Sequence, residues 1–274
     1  PAYSRRKPLV KFVLLLSALI TLIVLLARPQ NGLTTTSENK KGIEVAVMLD
    51  VSNSMLAQDI SPNRLERAKL LVSTLIDRMQ NDKIALGVFA GEAYPQLPIT
   101  GDYGAAKLFL NSITPGMVTL QGTNLAAAIN LADKSFTDKK RVGKAIIIIT
   151  DGEDHQGGAE EAAAAAAKEG RKVYILGIGN PGGAQIPLGN EYLKDNNGQV
   201  VVTKLNEQMC REVAKAGDGL YLHVDNSNAA QEQLQAALGQ LQQASEHTDY
   251  TSYNEQFQAV ALILLLLLFI ESFV

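Results

Sequence analysis

The chain has one cysteine, three histidines and no tryptophan in 274 residues. A lone Cys210 excludes a disulfide framework within the chain. So few thiols and imidazoles also leave almost no room for a zinc site built from Cys and His. A basic excess is lacking too: 25 Lys and Arg stand against 28 Asp and Glu, a formal charge of −3, which argues against a nucleic-acid binder. The polar, weakly hydrophobic composition of a disordered chain is missing. Apolar residues make up 46% and charged residues 19%, enough for a sizeable core.

Two further absences are positional. The first 28 residues carry Arg5, Arg6, Lys7, Lys11 and Arg28 but no acid, and no Lys or Arg follows Lys215. Between residues 12 and 27 every position is apolar or a small hydroxyl. With Leu9, Val10 and a snorkelling Lys11 the run reaches about 19 residues, or about 28 Å as a helix, close to the roughly 30 Å of a hydrocarbon core. A signal peptide fits poorly, since Leu25 and Ala27 would precede the cut and Arg28 and Pro29 would follow it. A buried helix of a soluble core would not be apolar all round. Residues 1–28 therefore read as a basic cytoplasmic segment and a membrane helix. Residues 257–274 hold a second apolar run, interrupted at Glu271, that reads as a truncated membrane helix. The start at Pro1 points to missing upstream residues. The positive-inside bias puts residues 5–11 in the cytoplasm and the middle of the chain outside.

That middle, residues 43–245, reads as one α/β domain between linkers at 29–42 and 246–256. Strands are expected at 43–50, 83–90, 144–151, 171–179 and 219–224. Residues 94–99, with two prolines, read as an edge strand or hairpin arm. Helices are expected at 63–79, 103–111 behind an Asp102 cap, 123–135, 159–169, 205–216 and 228–244. A six-alanine run lies in the helix at 159–169, and Asn196-Asn197-Gly198 looks like a hairpin turn. Residues 144–151 are apolar on both faces, as in the centre of a parallel sheet. The alternation implies a doubly wound, mostly parallel, Rossmann-like sheet flanked by helices. Ligands of such sheets bind outside the carboxyl ends of the strands, where the strand order switches.

The chemistry is therefore sought after Asp50 and Asp151. Asp50, Ser52 and Ser54 alternate in a loop leaving a strand. Asp151 follows Thr150 in a T-D-G turn, and Thr123 stands at a helix start. Two carboxylates, three hydroxyls and room for water are hard oxygen donors suited to Mg²⁺.

This constellation resembles the metal-ion-dependent adhesion site (MIDAS) of von Willebrand factor A (VWA) domains: Asp-x-Ser-x-Ser, a distant Thr and a T-D-G Asp. The resemblance implies Ser52, Ser54 and Thr123 as direct or water-mediated ligands. It implies Asp50 and Asp151 as holders of coordinated water, and an open coordination position near Asn53, Gly122 and Gly152 that takes an acidic residue of a protein ligand. Mn²⁺ or Ca²⁺ could replace Mg²⁺ there. The runs DVSNSMLAQDISPNRLERAK, FAGEAYPQLPIT, IIITDGEDH and GIGNPGGAQIP are similar to the Bat aerotolerance-type membrane VWA proteins over essentially the whole chain. That family implies a bacterial inner-membrane protein with a periplasmic VWA domain. Its partners would be other VWA or Bat-type membrane proteins and a MoxR-type AAA+ ATPase, with a role in stress or envelope maintenance and no catalysis.

Other features carry less. Gly177-Ile178-Gly179-Asn180-Pro181-Gly182 fits the dinucleotide pattern, but Pro181 and Pro187 oppose the helix that should receive a pyrophosphate. Glu153, Asp154 and His155 read as acids at a helix start. Glu92 and Asp102 form a conceivable acid pair with no nucleophile beside them. His223 reads as structural and Cys210 as buried and inert. The alternative function is a Mg²⁺-dependent hydrolase or phosphatase; against it, Ser52 occupies the place two residues after Asp50 where such enzymes carry an Asp.

Overall fold

The computed structural model describes residues 6–27, 30–36, 42–139, 142–154, 156–189, 191–244, 250–255 and 257–273. In chain order the elements are α1 (Arg6–Leu26), β1 (Gln30–Thr36), β2 (Glu44–Asp50), a 3-10 turn (Asn53–Leu56), α2 (Arg64–Arg78), β3 (Lys83–Phe89), β4 (Ala93–Thr100), α3 (Tyr103–Ser112), α4 (Leu125–Lys134), β5 (Lys144–Thr150) and α5 (Ala159–Lys168). They continue with β6 (Arg171–Ile178), β7 (Ala184–Gln185), β8 (Pro187–Leu188), β9 (Glu191–Tyr192), β10 (Val202–Thr203), α6 (Glu207–Ala216), β11 (Tyr221–Val224), α7 (Ala229–Ala244), β12 (Tyr250–Glu255) and α8 (Phe257–Phe273). The chain divides into two units, Pro1–Asn39 with His247–Val274, and Lys40–Glu246.

The first unit joins the two ends of the chain. Pro8–Leu26 of α1 is 19 residues of mean hydropathy 2.8, long and apolar enough to cross a membrane, and Val260–Phe273 is a shorter apolar helix. Glu271, the charge that interrupts the second apolar run, lies 3.2 Å from Lys11 Nζ on α1. The segments expected as plain linkers each supply a strand: β1 and β12 pair antiparallel, with Leu33 opposite Tyr253 and Thr36 opposite Tyr250. Neither strand announces a partner, because the two lie at opposite ends of the sequence.

The second unit is built on a six-stranded sheet of order β11-β6-β5-β2-β3-β4. All neighbours run parallel except β3 and β4. β4 takes the edge, the position in a sheet that tolerates Pro95 and Pro98. Alternate residues of the central strands serve two helical layers. Val45, Val47 and Leu49 of β2 join Leu65, Leu71 and Leu75 of α2, Leu110 of α3 and Leu234 of α7. Ala46 and Met48 join Leu125 and Ile129 of α4, Ala163 and Ala166 of α5, and Val213 of α6. β5 is buried along its whole length, which accounts for its unbroken isoleucines. Each such side chain contributes about 1.5–3 kcal/mol on leaving water.

The alanine run packs on its neighbours as well as on the sheet. Ala159, Ala162, Ala163 and Ala166 line one helical stripe, and their small side chains let α5 lie against α4, α6 and β6. Helix starts are fixed by side-chain caps. Asn63, Asp102, Asn124 and Asn206 accept from the N–H groups of Glu66, Ala105, Ala127 and Met209. The cap at Asn124 leaves Thr123 outside α4, in the loop before it. Residues 184–203 form short ribbons, β7 with β10 and β8 with β9, and Lys194 bridges Val200 across the Asn197-Gly198 turn.

Candidate metal centre

The strand order reverses between β2 and β5. The chain goes from β2 to β3 on one side and later from β5 to β6 on the other. Both strands end at this point, with Leu49 opposite Ile149, so Asp50 lies beside Thr150. The Thr150 hydroxyl donates to Asp50 Oδ2 at 2.7 Å, and the Ser52 N–H donates to Asp50 Oδ1 at 2.9 Å. The chain then enters the 3-10 turn, which places Ser52 Oγ and Ser54 Oγ 3.0 Å apart. Adjacent oxygens of an octahedron with metal–oxygen distances of 2.0–2.1 Å are about 3 Å apart, so this pair fits a shared edge. The loop carrying Thr123 is tied to this turn by Gln121, whose Oε1 accepts the Asn53 N–H at 3.2 Å.

Asp50, Ser52, Ser54, Thr123 and Asp151 are all buried. Asp50, Ser52 and Ser54 touch directly, and Thr123 stands on the loop joined to their turn. Of the residues expected around an open position, Asn53 and Gly122 are partly exposed, but Gly152 is buried. Its φ of +75° suits glycine, its N–H donates to Thr150 Oγ1 at 3.0 Å, and a Cβ there would lie 2.7 Å from Cys210 Sγ. Gly152 is therefore packed against Cys210 and the Thr150 hydroxyl.

The sequence reading missed Arg64, whose side chain is wholly buried. Its Nε and Nη2 donate to Asp59 Oδ1 and Oδ2 at 2.9 and 2.8 Å, and Nη1 donates to Asp151 Oδ2 at 2.9 Å and Thr203 Oγ1 at 3.0 Å. The Thr203 hydroxyl also donates to Asp151 Oδ2 at 3.2 Å, and the Asn180 N–H donates to Asp59 Oδ2 at 2.7 Å. A positively charged residue opening a helix, five residues after an acid, is the one local signal. The dinucleotide-like glycines find their reason here. A Cβ on Gly179, at φ +132°, would lie 2.8 Å from the Arg64 guanidinium, and one on Gly177 would lie 2.6 Å from the Tyr221 ring.

The electrostatics follow from burial and neighbours. Burial, then the charge of Asp151, pushes the Asp50 carboxyl up to about 7 against the hydrogen bonds that favour its ionised form. Burial also works against ionised Asp59, but the Arg64 hydrogen bonds, the Asn180 N–H and the Arg64 charge outweigh it and hold that carboxyl below its usual range.

Among the described residues no three His, Cys, Asp or Glu side chains gather as metal ligands. The donor set at the β2–β5 edge is instead two carboxylates and hydroxyls, which fits a hard divalent cation and not a soft one. The other candidates are otherwise engaged. α5 begins at Ala159, so Glu153 and Asp154 lie in the preceding loop and not in a first helical turn. Glu153 Oε1 accepts the Lys204 N–H at 2.8 Å, and His155 lies outside the described residues. Asp102 caps α3, and Glu92 accepts from the Tyr94 hydroxyl. His223 Nδ1 is 3.3 Å from Glu207 Oε1. Cys210 is buried and its thiol is pushed up to about 12, first by burial and then by Asp151 and Glu207.

Comparison with known proteins agrees with this architecture. The family model for the von Willebrand factor type A domain matches residues 45–153. Among solved structures, the conserved hypothetical protein BatB from Bacteroides thetaiotaomicron is 54% identical with a TM-score of 0.73, covering 74% of this chain and 100% of that one. An aerotolerance-related membrane protein from Bacteroides fragilis is 53% identical with a TM-score of 0.71, covering 73% of this chain and 100% of that one. A curated relative, an uncharacterized protein of Borreliella burgdorferi, is 28% identical over 169 residues. The match covers 60% of this chain and only 48% of that protein. Proximal thread matrix protein 1 of the mussel byssus, solved with a zinc-occupied MIDAS motif, shares the fold at 15% identity and a TM-score of 0.54, over 82% of this chain and 50% of that one.

Proposed function

We propose, from the premise that the chain belongs to the VWA-domain membrane proteins of the Bat type, that it docks protein partners through a divalent cation. The cation is Mg²⁺, or Mn²⁺ or Ca²⁺ in its place, held by the hydroxyls of Ser52, Ser54 and Thr123, with Asp50 and Asp151 acting through water. The observation that carries this reading is the meeting of Asp50, Ser52 and Ser54 at the switch point, beside a second buried carboxylate and among hydroxyl donors. The zinc-occupied motif in the mussel protein supports it as a precedent for a metal on this fold. The ion supplies a centre of positive charge to which a partner's Asp or Glu binds. This chain's residues hold that centre, orient its water and shield it from bulk solvent.

The module is not an enzyme in this reading. A hydrolase would need a nucleophile or base beside the metal, whereas Ser52 Oγ is engaged with Ser54 Oγ and both Asp50 oxygens accept hydrogen bonds. The VWA domain spans 43–245, tethered by the helices within 1–28 and 257–274. It faces the periplasm from a bacterial inner membrane, because the basic residues cluster before the first helix. Its partners are other VWA or Bat-type membrane proteins and a MoxR-type AAA+ ATPase, and the setting is envelope stress. Pull-down from mildly solubilised membranes tests the docking claim. Specific proteins should be captured by wild type with Mg²⁺ and lost with EDTA or with Asp50→Ala. Identical capture in all four samples would overturn it.

A further inference from the structure

A wholly buried guanidinium beside a proposed cation site is a costly arrangement that apolar packing would not require. Arg64 is nevertheless built in with care. Both edges of its fork are occupied by carboxylates, and Gly179 leaves out the Cβ that would strike it. Its contacts converge from four segments: Asp59 before α2, Asp151 after β5, Thr203 of β10 and, through Asp59, the N–H of Asn180.

We infer that Arg64 is a positioning residue of the metal centre. It holds Asp151 by one oxygen and offsets its charge, so that a bound cation stays under-neutralised and keeps its attraction for a partner's carboxylate. This rests on the metal-docking reading above. Two unopposed aspartates would together balance a divalent ion, giving a tighter metal site and a poorer docking site. With Arg64 in place, Asp151 is already matched, whereas among the described residues Asp50 accepts from the Ser52 N–H and the Thr150 hydroxyl and forms no ion pair. Asp59 in turn limits how much positive charge Arg64 presents. The charges of Arg64 and Asp59 therefore act on the metal with opposite sign, although both side chains belong to one clasp.

That opposition separates an electrostatic role from a purely structural one. The full chain, purified in mild detergent at mildly alkaline pH, is titrated with Mn²⁺ and followed by the loss of the free-ion paramagnetic signal. Thermal midpoints without metal report on folding. Arg64→Gln should bind Mn²⁺ about tenfold tighter than wild type and Asp59→Asn more weakly, while Arg64→Lys, which keeps the charge, stays within about threefold of wild type. Both Arg64→Gln and Asp59→Asn lower the midpoint. If the two variants weaken Mn²⁺ binding together, or Arg64→Lys follows Arg64→Gln, the clasp is only structural and the inference fails. Should Arg64→Gln not fold, the double variant Arg64→Gln/Asp59→Asn replaces it and must bind more tightly than Asp59→Asn alone. If wild type takes up no Mn²⁺, the docking reading itself fails and the inference falls with it, a result distinct from parallel losses in the variants.

Discussion

Strand β2 begins and ends with a buried carboxylate, and the two are solvated by almost the same groups. Glu44 accepts from the Thr137 N–H at 2.9 Å and the Thr137 hydroxyl at 2.6 Å. Asp50 accepts from the Ser52 N–H at 2.9 Å and the Thr150 hydroxyl at 2.7 Å. The difference lies in the neighbouring strand. Opposite Glu44 in the register stands Lys144, itself bonded to the Thr137 carbonyl, whereas the charge bearing on Asp50 is that of Asp151. At one end the carboxylate secures the loop at Thr137. The other sets two acids close together and ties the second of them to Arg64. In the proposed function, a bound cation would offset the repulsion between Asp50 and Asp151. Similar hydrogen bonding beside a different neighbouring charge is what distinguishes the two ends of the strand.

Substitutions that remove one partner at each end give the sharpest contrast. Asp50→Ala should abolish divalent-ion binding, a loss of about a hundredfold or more in affinity by titration calorimetry, while the domain still folds. Glu44→Ala should leave metal affinity unchanged but cost about 1–3 kcal/mol in denaturant unfolding, because the buried Thr137 N–H and hydroxyl lose their acceptor. Equal effects of the two on metal binding would erase the distinction.

The pH dependence of the metal-free protein tests the same asymmetry. Burial, then the charge of Asp151, pushes the folded Asp50 carboxyl up to about 7, above the range near 4 of an unfolded chain. Between those values the folded state holds more protons than the unfolded state. Stability conferred by the protonated carboxyl is therefore present below about pH 4 and lost as pH rises through about 7, a change on the order of a few kcal/mol. Asp59 works in the opposite direction below its own usual range, so the decline should appear between about pH 5 and 7. It should shrink in Asp50→Asn and be compensated by Mg²⁺. A metal-free protein whose unfolding free energy is flat across that window would contradict the strain placed on Asp50. A smaller effect is expected at the supporting turn. Gly152→Ala meets both a φ of +75° and Cys210 Sγ, and should cost about 1–3 kcal/mol in unfolding while weakening metal binding less than Asp50→Ala does.

Much of the switch point is legible in the sequence because its parts are local. Asp50 and Asp151 each close an apolar run, and a carboxylate at the end of such a strand falls at the sheet edge by periodicity alone. Ser52 and Ser54 follow by alternation. The unbroken isoleucines of β5 identify a central strand, and the prolines of β4 identify an edge. Long-range pairings leave no such trace. Arg64 reads as an ordinary residue in the first turn of an amphipathic helix, since Asp151 and Thr203 become its partners only once the sheet is assembled. Gly177 and Gly179 imitate a phosphate loop, although their small size makes room for Tyr221 and Arg64. The β1–β12 ribbon joins segments whose composition suggests only linkers. Glu271, which looks misplaced in an apolar run, is explained by Lys11 from the other end of the chain.

The central claim is that the carboxyl ends of β2 and β5 hold one divalent cation. Calorimetric titration of Mg²⁺ into the full chain in detergent, wild type beside Asp50→Ala, tests it directly. The account predicts a single saturable site in wild type and none in the variant. No saturable binding in wild type, or the same isotherm for both proteins, would contradict it.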